Sequence, residues 1–197
     1  MPATPSALND PARPSEARDR LLATAERLFY GEGIRAVGVD KVIAEAQVTR
    51  ATFYRHFPGK EDLVTAYLTG RDNAIRAGVA AGARQAADSH GLLTLLVEGI
   101  GQEVCSPGFR GCPFINAAAE YPDPDSPVHQ AVLTHRAWFR QTLVDAFGAE
   151  GHPDPEQAAD IAVALRDGAM VAGYLGDPEA ARNTLARGTE VLLAAAR

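Results

Sequence analysis

Residues 39 to 60 carry the pattern that most constrains what this chain can fold into. Four apolar residues recur there at the i, i+3, i+4, i+7 spacing of a short amphipathic helix: Val39, Val42, Ile43 and Ala46. Gln47 and Val48 then interrupt the spacing, and Thr49 provides a hydroxyl that can cap a second helix. The segment therefore predicts two short helices joined by a tight turn, which is the helix-turn-helix arrangement.

The second of these helices is predicted to be strongly cationic. Between Thr49 and Lys60 the chain has two arginines, one lysine and one histidine but no acidic residue, so the formal charge of this stretch is +3. Aromatic residues are interleaved with the basic ones. A solvated surface helix would explain the charge alone, but the aromatic residues and the preceding turn favour a recognition helix in the major groove of DNA.

The stretch from Val39 to Leu63 resembles, almost position by position, the DNA-binding signature of the TetR family of bacterial repressors. The resemblance implies an all-α fold, with an N-terminal three-helix DNA-binding domain and a C-terminal helical domain for ligand binding and dimerisation. The expected division is a disordered arm at 1–14, the helix-turn-helix domain at 15–65 and the second domain at 66–197. The implied function is a ligand-responsive regulator, a repressor that binds a palindromic operator in double-stranded DNA as a homodimer.

The resemblance also assigns DNA contacts to seven residues, taken over by matching position. They are Thr49, Arg50, Thr52, Tyr54, Arg55, His56 and Lys60. Arg50 is expected to read a base edge, because a guanidinium pairs bidentately with guanine, and Thr52 is a second reader. The expected phosphate contacts are Thr49, Tyr54, His56 and Lys60. Arg55 either joins these contacts or faces solvent.

In the same region, two aromatic residues have an expected structural role, and two other residues depart from the family pattern. Phe53 and Phe57 are expected to be core residues that anchor the recognition helix. Gln47 stands in the turn where the family usually has Gly, and a left-handed backbone there would cost about 1 kcal/mol. Gly38 stands where Ser or Thr usually caps the first helix, so a phosphate contact there is missing or is made by the backbone N–H.

The C-terminal half is acidic and is predicted to be helical. Residues 66–197 have ten Lys or Arg against sixteen Asp or Glu, whereas residues 1–65 have nine of each. Loops rich in proline and glycine are predicted at 106–113 and 121–127, and strand patterns are absent. This excess of acidic residues does not argue against DNA binding, because an acidic chain can still bind DNA when its positive charge is local.

The last two helices are predicted to carry seams of small and apolar residues. Each begins with a capping aspartate and a proline, Asp154-Pro155 and Asp177-Pro178. The first seam comprises Ile161, Leu165, Gly168, Ala172 and Leu175, and the second comprises Ala181, Leu185, Gly188, Leu192 and Ala195. The resemblance implies that these helices form a four-helix dimer interface, while packing inside one monomer is the alternative.

A small-molecule effector is implied by the resemblance, and its site is predicted in the aromatic part of the C-terminal half. The candidate ligand-binding residues are Phe109, Cys112, Phe114, Asn116, Tyr121, His135, Trp138 and Phe139. Ordinary core packing is the alternative for the aromatic ones. Cys105 and Cys112 are either small buried residues or sensors of oxidants and electrophiles.

Other classes of protein find little support in the sequence. A phosphate-binding glycine loop, a nucleophile elbow and a metal-spaced Cys/His cluster are all absent, so we expect no catalytic residue, no metal and no cofactor. No secretory signal or membrane-spanning run is recognisable, and two cysteines suit a reducing cytoplasm. The alternative is an all-α ligand-binding protein whose helix-turn-helix is not functional; activation instead of repression also remains open.

Overall fold

The computed structural model describes residues 15–195, in which nine α-helices and no β-strand are found. The helices are α1 (Glu16–Glu32), α2 (Val39–Glu45), α3 (Arg50–His56), α4 (Lys60–Gln85), α5 (Ser89–Val104), α6 (Pro113–Glu120), α7 (Pro127–Ala149), α8 (Pro155–Leu175) and α9 (Pro178–Ala194). The all-α fold class is confirmed. The arm expected at 1–14 lies outside the described residues.

Helix ends follow the local signals in the sequence. Asp154 accepts a hydrogen bond from the backbone N–H of Gln157, and Asp177 accepts from those of Glu179 and Ala180. Gly33 ends α1 with a φ of 94°, which is why glycine suits that position. The two aspartates satisfy backbone N–H donors that the start of a helix leaves unpaired.

The first three helices pack around a small apolar core that is continuous with the next part of the chain. Leu21, Ala25 and Phe53 have no exposed surface, and Phe57 is 2% exposed, so the two phenylalanines are core residues as predicted. The same cluster continues through the first half of α4 and into α6 and α7. The N-terminal helices are therefore anchored on the C-terminal half by shared apolar packing.

Helix α6 was not predicted from the sequence, which indicated only the loops on either side of it. It begins at Pro113, whose missing N–H costs nothing in the first turn. Phe114 and Ala117 are fully or almost fully buried, in the same core cluster as Phe53. This short helix therefore lies between the N-terminal domain and the rest of the C-terminal half.

The two seams of small residues have different surroundings. On α8, Gly168, Ala172 and Leu175 are exposed and line an apolar groove of about 690 Å³ beside α9. On α9, most seam residues are buried, and a Cβ at Gly188 would lie 2.7 Å from Leu165. Packing within one monomer thus accounts for much of the α9 seam and for Leu165 of the α8 seam, but it leaves the rest of the α8 seam uncovered.

Among residues 15–195, no helix combines the length and apolarity required to cross a bilayer.

Candidate nucleic-acid interface

The turn between α2 and α3 has a left-handed residue at its centre. Gln47 has a φ of 54°, the only positive φ of a non-glycine residue in the described part of the chain. The backbone N–H of Val48 donates to the carbonyl of Ile43 at 3.2 Å, which closes the turn. Gly38 is the N-cap of α2 and has no side chain to satisfy the first N–H groups of that helix. Both departures noted in the sequence therefore lie at structurally demanding positions.

The start of α3 is closed by Thr49. Its hydroxyl accepts the backbone N–H of Thr52 at 3.1 Å, and the two threonine hydroxyls are 2.9 Å apart. Such a cap contributes about 1 kcal/mol to helix stability. The expected phosphate contact Thr49 and the expected base reader Thr52 are thus coupled to each other in the free protein.

Arg50, the expected base reader, is exposed and forms an ion pair across the turn. Its Nη2 donates to the carboxylate of Asp40 on α2, and the two side chains are 62% and 75% exposed. The sequence signature did not single out Asp40. The pair links residues ten positions apart, and only the turn geometry brings them together.

Tyr54 and Arg55 are exposed on α3, which is compatible with contacts to DNA. Tyr54 is 48% exposed, and its ring meets the buried ring of Phe53 edge-on, with centroids 5.1 Å apart. One face of the tyrosine is therefore supported by the core while its remaining surface is open to a partner.

His56 and Lys60 already have partners in the free protein. The Nε2 of His56 lies 3.1 Å from the hydroxyl of Ser15, which joins the start of α1 to the end of α3. Lys60 donates to the carbonyl of Arg35 at 3.5 Å; partial burial lowers the pKa of its ammonium, against the opposing effect of Glu120. Sequence reasoning did not identify Ser15 as a partner of the recognition helix, because the two are 41 residues apart.

The candidate ligand-binding residues fall into two groups. The first group forms a chain of contacts that joins α6, α7 and α8, and it comprises Cys112, Phe114, His135, Trp138 and Phe139. Phe114 stacks on His135, Trp138 lies tilted between His135 and Phe139, and Arg166 of α8 reaches both Phe139 and Cys112. They therefore form a mixed aromatic and charged cluster.

Charged groups enclose this cluster. The imidazole Nδ1 of His135 is 2.7 Å from a carboxylate oxygen of Asp72, and the guanidinium of Arg76 lies over the ring of Trp138 at 4.4 Å. Burial lowers the pKa of His135, although the hydrogen bond to Asp72 opposes that shift. Nη2 of Arg166 lies 3.3 Å from the buried Sγ of Cys112.

The other candidate ligand residues lie elsewhere. Asn116 donates to the carbonyl of Arg110 and lines a crevice of about 280 Å³ between α1 and α6. The carbonyl of Tyr121 accepts from the imidazole of His129. Phe109 is half-buried and packs near Gly173.

The two cysteines differ in their surroundings, and both are free thiols. Burial, together with the carboxylate of Glu179, raises the pKa of Cys105, which disfavours its reactive thiolate. Cys112 is 2% exposed and occupies the N-cap position of α6 without a capping hydrogen bond from its side chain.

Comparison with known proteins agrees with this architecture. Residues 21–67 match the family model of bacterial regulatory proteins of the tetR family, and residues 93–187 match that of the tetracyclin repressor-like C-terminal domain. The crystal structure of SCO4454, a TetR-family transcriptional regulator from Streptomyces coelicolor, is 50% identical, with a TM-score of 0.89. That match covers 92% of this chain and 97% of the other.

Two relatives with assigned names match over shorter stretches. The transcriptional regulator LmrA of Bacillus subtilis is 29% identical over 118 residues, which is 59% of this chain and 63% of LmrA. The transcriptional activator FasR of Mycolicibacterium smegmatis is 31% identical over 83 residues, which is 42% of this chain and 38% of FasR. Both alignments span less than two thirds of the relative's length. With helix-turn-helix, C-terminal domain and overall fold all matched, the chain belongs to the TetR family of transcriptional regulators.

Proposed function

We propose that this regulator binds a palindromic operator as a homodimer, represses transcription, and releases DNA when a small molecule binds its C-terminal half. The observation that carries the proposal is the exposed cationic face of α3, held in place by the Thr49 cap and by the buried ring of Phe53. One such helix touches only a few base pairs. Two related by a two-fold axis sum their binding free energies on a palindrome.

Dimerisation is supported by the uncovered face of α8 and α9. Leu175 is 74% exposed and Val191 is 72% exposed, and the apolar groove of α8 lies alongside. Large contiguous apolar patches are uncommon on the surface of soluble monomers. The small residues Gly168 and Ala172 would allow close approach of a second copy. We therefore place the dimer interface on this face.

Ligand response is supported by the way α6 joins the two halves. At its start, the hydroxyl of Tyr30 on α1 donates to the carbonyl of Gly111 at 3.0 Å and accepts the N–H of Arg110 at 2.9 Å. At its end, Glu120 accepts the backbone N–H groups of Ile34 and Arg35, the first at 2.9 Å. A ligand that displaces α6 would disturb both contacts.

The effector site is proposed at the aromatic cluster that α6 shares with α7. Phe114 links α6 to His135, so a ligand that separates these rings would act directly on the helix that holds the N-terminal half. Thermodynamic linkage requires the ligand to prefer the conformation that does not bind DNA, typically by about 1–3 kcal/mol. The residues to substitute first are the candidates that lie in this cluster: Cys112, Phe114, His135, Trp138 and Phe139.

Activation is the second candidate, because the same DNA contacts can recruit polymerase or exclude it. The related FasR is named as an activator. A reporter driven by the operator separates the two: deletion of the gene raises expression for a repressor and lowers it for an activator.

We also propose that the protein acts in the cytoplasm, because the bacterial chromosome lies there.

Footprinting on the intergenic DNA beside the gene tests the function, followed by gel-shift titration at several salt concentrations. We expect a two-fold symmetric footprint and an affinity that falls steeply with salt, because phosphate contacts release counterions. Arg50→Ala should weaken binding to the operator more than to random duplex. A protein that shifts no duplex specifically would be the ligand-binding alternative with a non-functional helix-turn-helix.

A further inference from the structure

Asp40 is the feature of the DNA-facing surface that the proposed function does not yet explain. It lies in the first turn of α2, and its carboxylate accepts a hydrogen bond from Nη2 of Arg50 at the start of α3. The other charged side chains of α2 pair with α1: Lys41 with Glu32, and Glu45 with Arg27. Asp40 is thus the acidic residue of α2 that is directed at the recognition helix.

General affinity does not account for an acid at this place, and stability accounts for it only in part, because the helix dipole modestly favours a carboxylate in the first turn of α2. The carboxylate is 75% exposed and its partner 62%, and exposed ion pairs add little to folding stability. Phosphates repel a carboxylate, so Asp40 opposes binding to any duplex. The helix dipole does not require the contact with Arg50, so that contact points to a further effect, on how Arg50 is presented.

We propose that Asp40 is a specificity-determining residue that orients Arg50 toward guanine; this role rests on the proposed function. Arginine has five N–H donors, and the bond to Asp40 engages only one end of the guanidinium. The remaining donors stay free for O6 and N7 of a guanine, which accept two of them side by side. The same bond restrains Arg50 from turning to a phosphate, where it would carry no sequence information.

The test measures dissociation constants for the footprinted operator, for each single base-pair substitution of it, and for a random duplex at one salt concentration. Wild type is compared with Asp40→Asn, Arg50→Ala and the double variant. We expect Asp40→Asn to bind random duplex more tightly and to lose about tenfold discrimination at the guanine that Arg50 reads, a change within the range of one bidentate contact. In the Arg50→Ala background, Asp40→Asn should leave discrimination at that base unchanged.

Glu45→Gln is the matched control, because it removes one negative charge from α2 without touching Arg50. It should leave discrimination unchanged, while Asp40→Glu should restore part of what Asp40→Asn loses. Thermal unfolding of each variant verifies that the fold is kept.

Two results would overturn the role of Asp40 alone, given a wild type that binds its operator specifically. One is unchanged discrimination in Asp40→Asn; the other is a loss that persists without Arg50 or that falls on a different base. A wild type that binds no duplex specifically would instead overturn the proposed function, and this role with it.

Discussion

The ring of Phe114 stacks on the imidazole of His135, with centroids 3.7 Å apart and planes only 7° from parallel. The same imidazole bonds to Asp72 of α4. His135 therefore joins α6 to α4 through direct contacts with both helices. Helix α6 contacts the N-terminal half, and α4 leads directly out of that half.

Stability should decrease at mildly acidic pH because of this histidine. Burial lowers the pKa of His135 below its usual 6.5, with Arg166 and Arg76 adding to the shift and Asp72 opposing it. Between the usual pKa of 6.5 and the lowered pKa of the folded state, the unfolded chain binds more protons than the folded one. The free energy of unfolding therefore falls as the pH falls from about 7 through 6.5 toward the lowered pKa of His135. Urea unfolding at pH 7.5 and 5.5 measures the difference, which should be smaller in His135→Gln.

The control for that experiment is His90→Gln, which removes a histidine whose side chain is 41% exposed. An equal pH sensitivity in wild type and His135→Gln would show that other groups cause it.

Replacing Gln47 by Gly should stabilise the protein without changing its operator. The φ of 54° at this position is unfavourable for a residue with a Cβ, by about 1 kcal/mol, whereas glycine adopts it freely. For a chain of this size, the expected rise in melting temperature is about 2–4 °C. Gln47→Ala keeps the Cβ and should show no such rise. A lower melting temperature in Gln47→Gly would mean that the side chain of Gln47 contributes more than its backbone strain costs.

Glu120 should protect the turn after α1 from opening. Its carboxylate accepts the N–H groups of Ile34 and Arg35, so Glu120→Ala leaves two backbone donors without these partners. Amide hydrogen exchange should become faster at residues 34 and 35, while exchange in α9 stays as in wild type. Unchanged exchange at the turn would remove Glu120 from the proposed route between the two halves.

Leu175→Asp should produce a monomer. The side chain is 74% exposed in the single chain, so the substitution disturbs little within it but places a charge in the proposed interface. Sedimentation should show a dimer for wild type and a monomer for the variant, whose operator affinity should fall because the two recognition helices no longer act together. Leu133→Asp, at another exposed leucine (44%), is the control and should stay dimeric. A dimeric Leu175→Asp would locate the interface elsewhere.

Local chemistry explains which parts could be predicted from the sequence. Asp154 and Asp177 cap the helices that they were expected to cap, because a cap acts on backbone groups two or three residues away. Phe53 is buried as expected, because a domain this small needs aromatic anchors to fix the recognition helix. The family pattern was readable because these same local rules shape the helix-turn-helix.

Contacts between distant residues were outside the reach of such rules. The sequence could not show that His56 meets Ser15, that Arg50 meets Asp40, or that the α9 seam is largely buried in its own chain. Nor did it predict α6, a short helix that buries Phe114 and Ala117 in the core shared with distant helices. Apart from α6, the sequence by itself determined where helices form, the caps of the last two helices and the cationic face of α3, because neighbours in the chain decide these. The tertiary structure decided which charges are paired and which apolar face stays open, because those depend on packing between helices.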